Sequence, residues 1–306
     1  MHNISRRDFL KISAGFTIAG FLPKTLFSLE QSTHSGPALG VAHGEPSRLV
    51  AAAVDAIGGI SSFIRSGDRV CIKPNISFAA NVDCGATTNP QIVKQIVQLC
   101  LDAGAEKVIV LDHTIADAVL CVEKSGIEEV IIDKKRVNLL TPTKERQFTD
   151  VSVPRGTELE TIKVAKALLE ADKFINVPTA KSHSATGVSL GIKNLMGLVW
   201  DRGYLHRVNL HKAIAELATV MKPDLTIVDA TRVLTSGGPG GPGKTLVLNK
   251  VIAGTDIVAV DSYAVGLTPW YNRSFVGANV KYLAAAHELG IGEINTDKMH
   301  ITEVEV

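Results

Sequence analysis

The chain has 306 residues, 45% of them apolar, with 32 Lys+Arg against 31 Asp+Glu and a formal net charge of +1. That apolar content excludes general disorder and suffices for one large core or two coupled ones; the charge balance leaves no basic surplus for nucleic acid or an anionic membrane surface. Four cysteines, Cys71, Cys84, Cys100 and Cys121, are too few for a disulfide scaffold, and their lack of any C-x-x-C spacing argues against a zinc ribbon or a ferredoxin-type cluster motif within one chain.

The chain opens with Ser5-Arg6-Arg7-Asp8-Phe9-Leu10-Lys11 and an apolar run over 12–22, the pattern of a twin-arginine export signal. The run is shorter than the roughly 20 apolar residues of a membrane span, and Gly15, Gly20 and Pro23 weaken it. We expect a signal and linker over 1–36, cleaved near 28–35 or retained as an anchor, with the twin-arginine translocase as partner and a periplasmic destination. No stable membrane span is expected after processing. Export in the folded state hints at a metal or redox centre inserted beforehand.

From 37 to 306 the expected fold is α/β, a mostly parallel sheet with helices on both faces, in one domain or two coupled lobes over about 37–150 and 151–306. Strands are predicted over 69–73, 107–111, 173–177, 225–229 and 247–253. Helices are predicted over 90–103, 162–169, 189–199, 208–221, 257–267 and 280–289. Residues 137–153 read as an irregular or antiparallel excursion and 268–279 as a loop.

In such a fold ligands sit beyond the carboxyl ends of the parallel strands. The polar segments found there are Lys73-Pro74-Asn75, Asp112-His113-Thr114, Lys181-Ser182-His183 in a polar loop, and Asp229-Ala230-Thr231-Arg232. They define a cleft in which Lys73, His183 and Lys193 are catalytic candidates and Asn75, Lys181, Asn194 and Arg232 substrate-binding ones. In one version the lysines hold a small anion and His183 moves protons. Metal candidates are Cys84, in the polar loop 81–85, with Cys121, His113 and Asp112. Metal ligation, a disulfide and an inert thiol all fit Cys84. Cys71 and Cys100 fall on apolar faces and read as buried small hydrophobes.

The segment Gly238-Pro239-Gly240-Gly241-Pro242-Gly243-Lys244-Thr245 satisfies the phosphate-loop pattern in letters. A phosphate loop must open a helix, whereas Leu246-Val247-Leu248 continues as strand. We therefore expect a shaped glycine loop over the cleft and no nucleotide.

Six separated motifs, Lys73-Pro74-Asn75, Ala86-Thr87-Thr88-Asn89-Pro90, Leu111-Asp112-His113-Thr114, Ile175-Asn176-Val177-Pro178, the run 181–194 and the loop 237–243, together resemble the domain of unknown function 362 family over about 68–266. The twin-arginine start is similar to that of an exported branch. The resemblance implies an association with iron–sulfur proteins, hence an iron–sulfur cluster or other transition metal held by Cys84 with Cys121 and shared across a homodimer. In outline the chain is also similar to nickel-dependent racemases, which implies Lys73, His183 and Lys193 as polar machinery. Three functions follow: an exported iron–sulfur or metal-binding redox-associated protein, an acid–base or metal-assisted isomerase-like enzyme acting on a small anion, and a non-catalytic periplasmic binding module.

Overall fold

The computed structural model describes residues 36–306, so the twin-arginine segment lies outside the described residues. In chain order the elements are β1 (Ala38–His43), α1 (Leu49–Asp55), β2 (Arg69–Pro74), α2 (Pro90–Asp102), β3 (Lys107–Leu111), α3 (Ala118–Ser125), β4 (Val137–Leu140), β5 (Phe148–Ser152), β6 (Thr161–Ala165) and α4 (Lys166–Leu169). There follow β7 (Lys173–Val177), β8 (Thr179–His183), β9 (Gly187–Ser189), α5 (Gly191–Asn194), α6 (Arg202–Leu205), α7 (Leu210–Val220), β10 (Leu225–Leu234), β11 (Thr245–Gly254), α8 (Ile257–Val265), α9 (Lys281–Glu288) and β12 (His300–Glu305).

One ten-stranded sheet in the order β12-β1-β11-β10-β7-β2-β3-β4 carries the fold, with β8 and β9 attached beside β10. The pairs β2 with β3, β2 with β7, β3 with β4, β7 with β10 and β1 with β12 are parallel; β11 runs antiparallel to both β1 and β10. The sheet is thus mostly parallel, as the alternating strand and helix signals predict.

Alternation along each strand explains why both faces are covered. Val70 and Ile72 of β2, with Val108 and Val110 of β3, pack under α1 and α2. Cys71, Ile109 and Leu111 point the other way, into the core built with α7, α8 and α9. Cys71 and Cys100 are fully buried, as their apolar faces predict. The helix α2 begins where the sequence dictates: the Asn89 side chain accepts from Gln91 N–H, and Pro90 occupies the first turn, where its missing N–H costs nothing.

Four segments differ from expectation. Residues 162–169 form strand β6 and a single helical turn, because Ile162 and Val164 alternate inward and pair with β5. The excursion over 137–153 divides: β4 joins the main sheet in parallel with β3, and β5 belongs to a separate two-stranded sheet. Residues around His183 are not a solvated loop but a buried hairpin, β8 against β9, with β8 beside the far half of β10. The helix expected over 189–199 is also shortened to α5 followed by a 3-10 turn at Leu195–Leu198.

Replacing Asn89 with Ala removes the cap acceptor of α2, and the variant should lose about 1 kcal/mol of unfolding free energy in a urea titration. An unchanged midpoint would contradict the capping role.

Candidate functional site

The carboxyl ends of β2, β3 and β7 meet the β8–β9 hairpin and α5 around a cavity of about 330 Å3. The charge buried there is unusual. Lys73, at the end of β2, is 0% exposed, Lys181 on β8 1% and Lys193 on α5 7%. Among them lies one buried carboxylate, Asp112, which immediately follows β3.

Lys73 Nζ is 2.8 Å from Asp112 Oδ1 and donates to the Asn194 Oδ1 and to the Pro74 carbonyl. Asp112 Oδ2 accepts from Ile76 N–H and the Ser77 hydroxyl. Burial lowers the Lys73 pKa, and the facing Asp112 offsets only part of that fall. Gly197 makes this pairing sterically feasible, since a Cβ there would lie 2.2 Å from Asp112 Oδ1 and 2.7 Å from Lys73 Nζ.

Asn194 connects the lysines. Its Oδ1 accepts from Lys73 and from Asn75 Nδ2, and its Nδ2 donates to the Lys73 carbonyl and to Asn176 Oδ1. Asn75 Oδ1 in turn accepts from Lys181 Nζ at 3.1 Å. Lys181 also donates to the Ala86 carbonyl, and its ammonium lies 4.9 Å from the Phe78 ring centroid.

Neither Lys181 nor Lys193 has an acidic partner within ion-pair distance among the described residues; their polar contacts are amide and carbonyl oxygens and the Met196 sulfur. Burial therefore lowers the Lys181 pKa to about 7, assisted by Lys193 and Lys73 and opposed by Asp112. Burial and Arg202 lower that of Lys193 to about 8. His183 falls to about 3, chiefly through burial and then through Lys193, Lys181 and His206. Its Nδ1 accepts from Ala185 N–H, which assigns the proton of the neutral ring to Nε2.

One further cation, Arg202, lines the cavity together with His206, whose pKa burial and Lys193 hold below the ordinary imidazole value. Arg202 is latched by bonds of 2.6 Å to the His113 and Thr114 carbonyls. Sequence reasoning missed it, because those anchors are 89 and 88 positions away; the local signal was the Asp201 cap that starts α6. Asp261 is a buried hydrogen-bonding residue: its carboxylate accepts from Gly191 and Ile192 N–H, fixing the turn that presents Lys193 and Asn194. Asp229, also expected at the ligand edge, ties Asn89 N–H and Thr231 instead.

Of the candidates read from sequence, the structure brings together Lys73, Asn75, Asp112, Lys181, His183, Lys193 and Asn194. Arg232 does not line the cavity; it faces exposed Asp83 at 3.4 Å. The glycine loop does reach the cavity: Pro239 lines it, and Gly240 packs on the Phe78 ring. Thr245 then begins a strand rather than a helix.

The donor set proposed for a metal does not fit a resident cluster within one chain. Asp112 is committed to Lys73, Ile76 and Ser77, and the His113 Nδ1 contacts the Val199 carbonyl while its ring stacks on Trp200. Cys121 is buried, which raises its thiol pKa, and half-buried Cys84 sits near Gly241 of the glycine loop. Among the described residues no three His, Cys, Asp or Glu side chains form a metal-holding group.

Residues 70–266 match the family model described as Domain of unknown function (DUF362). Over 218 residues, 68% of this chain and 65% of the relative, the sequence is 26% identical to the thylakoid-associated protein sll1697 of Synechocystis sp.. The chain thus spans just under two thirds of that relative's length. Among solved structures it is similar to the lactate racemase apoprotein from Thermoanaerobacterium thermosaccharolyticum, with a TM-score of 0.45 and 12% identity, covering 76% of this chain and 57% of that one. With the family model matching well over half its length, this chain belongs to the DUF362 family.

Proposed function

We propose that the protein is an acid–base enzyme acting on a small organic anion held in the cavity at the strand ends. One observation carries this: Lys181, Lys193 and Arg202 face the cavity without an acidic partner within ion-pair distance among the described residues. Buried cations without counter-ions are costly, and an anionic ligand is the partner that relieves them.

The lysine pKa values support chemistry beyond binding. A general acid or base works best when its pKa lies near the working pH, which describes Lys181 at about 7 and Lys193 at about 8. A plain binding module has no use for a cation such as Lys181 that half discharges at neutral pH. The division of labour favoured is the reverse of that suggested by residue type. Arg202 and protonated Lys193 hold the anion, Lys181 exchanges the proton, and neutral His183 donates a hydrogen bond from Nε2. Lys73, tied to Asp112, sets the potential and orients Asn194. An exported, periplasmic setting belongs to the same proposal and rests on Ser5-Arg6-Arg7 and the run that follows.

Anion affinity must fall with pH. The lysines are charged below their free-state pKa values, so binding is at its plateau below about 7 and weakens as pH rises through 7 and 8. Calorimetry with acetate, ionised across this range, should show that decline, and Lys193→Met should weaken binding about tenfold on the acid side. Equal affinity on both sides of the window, or none at all, would sink the anion reading.

Gly197→Ala tests the Lys73–Asp112 pair without removing a charge. The added methyl must displace one partner, so unfolding free energy should fall by about 1–3 kcal/mol, with weakened acetate binding. Unaltered stability and binding would mean that the pair does not organise the site.

A further inference from the structure

The cavity lining also has an apolar part, interleaved with the lysines. Phe78, Ile115, Met196 and Pro239 form an apolar wall contributed by four separate segments of the chain. Phe78 is held in place from behind, since its ring packs against Gly240 and its face covers the Lys181 ammonium. Ile115 stands at the mouth with its backbone N–H bonded to the Ser77 carbonyl and its side chain 61% exposed. Val119 and Leu120, in the first turn of α3 just beyond it, are 73% and 46% exposed. Single exposed apolar residues are ordinary; three within six positions, the first of them lining a cationic cavity, are not.

A compact polar anion such as phosphate would use the floor and leave this wall wet. We infer that the ligand is an amphipathic organic acid, with its charge at one end against Lys181, Lys193 and Arg202 and an aliphatic or aromatic body running out along Phe78 and Pro239 to Ile115. This rests on the anion reading above and adds the class of substrate. The wall selects by burial area, and the cations fix which end enters.

The test is a series of straight-chain monocarboxylates, acetate, butanoate, hexanoate and octanoate, titrated into the full chain by calorimetry below pH 7. All carry the same charge, so only the apolar body varies. Affinity should rise about threefold per added methylene until the chain passes Ile115. Ile115→Ser, an exposed substitution that leaves the fold intact, should flatten the rise for the longer acids. If acetate binds and affinity does not grow with length, the amphipathic class is wrong while the anion cavity stands. If no member binds, the anion reading fails and this inference with it. If phosphatidylglycerol vesicles bind through Ile115 and the soluble acids show no length dependence, the apolar rim serves a membrane and the inference is overturned.

Discussion

Positive charge buried without equal negative charge is the constraint on which this structure turns. Lys73, Lys181 and Lys193 are each at most 7% exposed, and Asp112 is the carboxylate set directly among them. A lysine taken out of water either finds an anion or loses its proton. Lys73 takes the first course only in part: it pairs with Asp112, which opposes but does not cancel the fall in pKa that burial imposes. Lys181 and Lys193 take the second in part, and that leaves them sensitive to whatever enters the cavity.

Holding such a site together requires neutral groups that accept from ammonium without discharging it, and amides do this. Asn194 and Asn75 bridge Lys73 to Lys181, and Asn176 pins Asn194 and the Gly191 carbonyl from beneath. The turn bearing Lys193 is capped by Asp261, whose carboxylate burial raises to about 7 while the two backbone bonds act against that rise. The sheet supplies rigidity, because β2, β3 and β7 are adjacent and parallel and their last residues cannot move independently.

Much of the scaffold was legible because its physics is local. The strands over 107–111 and 173–177 coincide with the observed β3 and β7, since a short β-branched run covered on both faces leaves little else to fold into. The cleft followed from the rule that ligands gather at strand ends. What escaped depends on partners distant in sequence. Lys181 and His183 read as loop because they are polar, yet they belong to a buried strand and line the cavity, with Lys181 reaching Asn75. Arg202 carried no motif, and its position depends on two carbonyls of the segment after β3. The close approach of Gly197 to the Lys73–Asp112 pair is likewise invisible until the chain is folded.

The account stands or falls on the state of Lys181. Its side-chain resonance, assigned in an NMR titration by its loss in Lys181→Met, should move with a pKa of about 7 in the free protein and shift upward when an organic acid is added. A lysine that titrates near the ordinary 10.5, unmoved by the acid, would contradict the buried, uncompensated charge from which the rest follows.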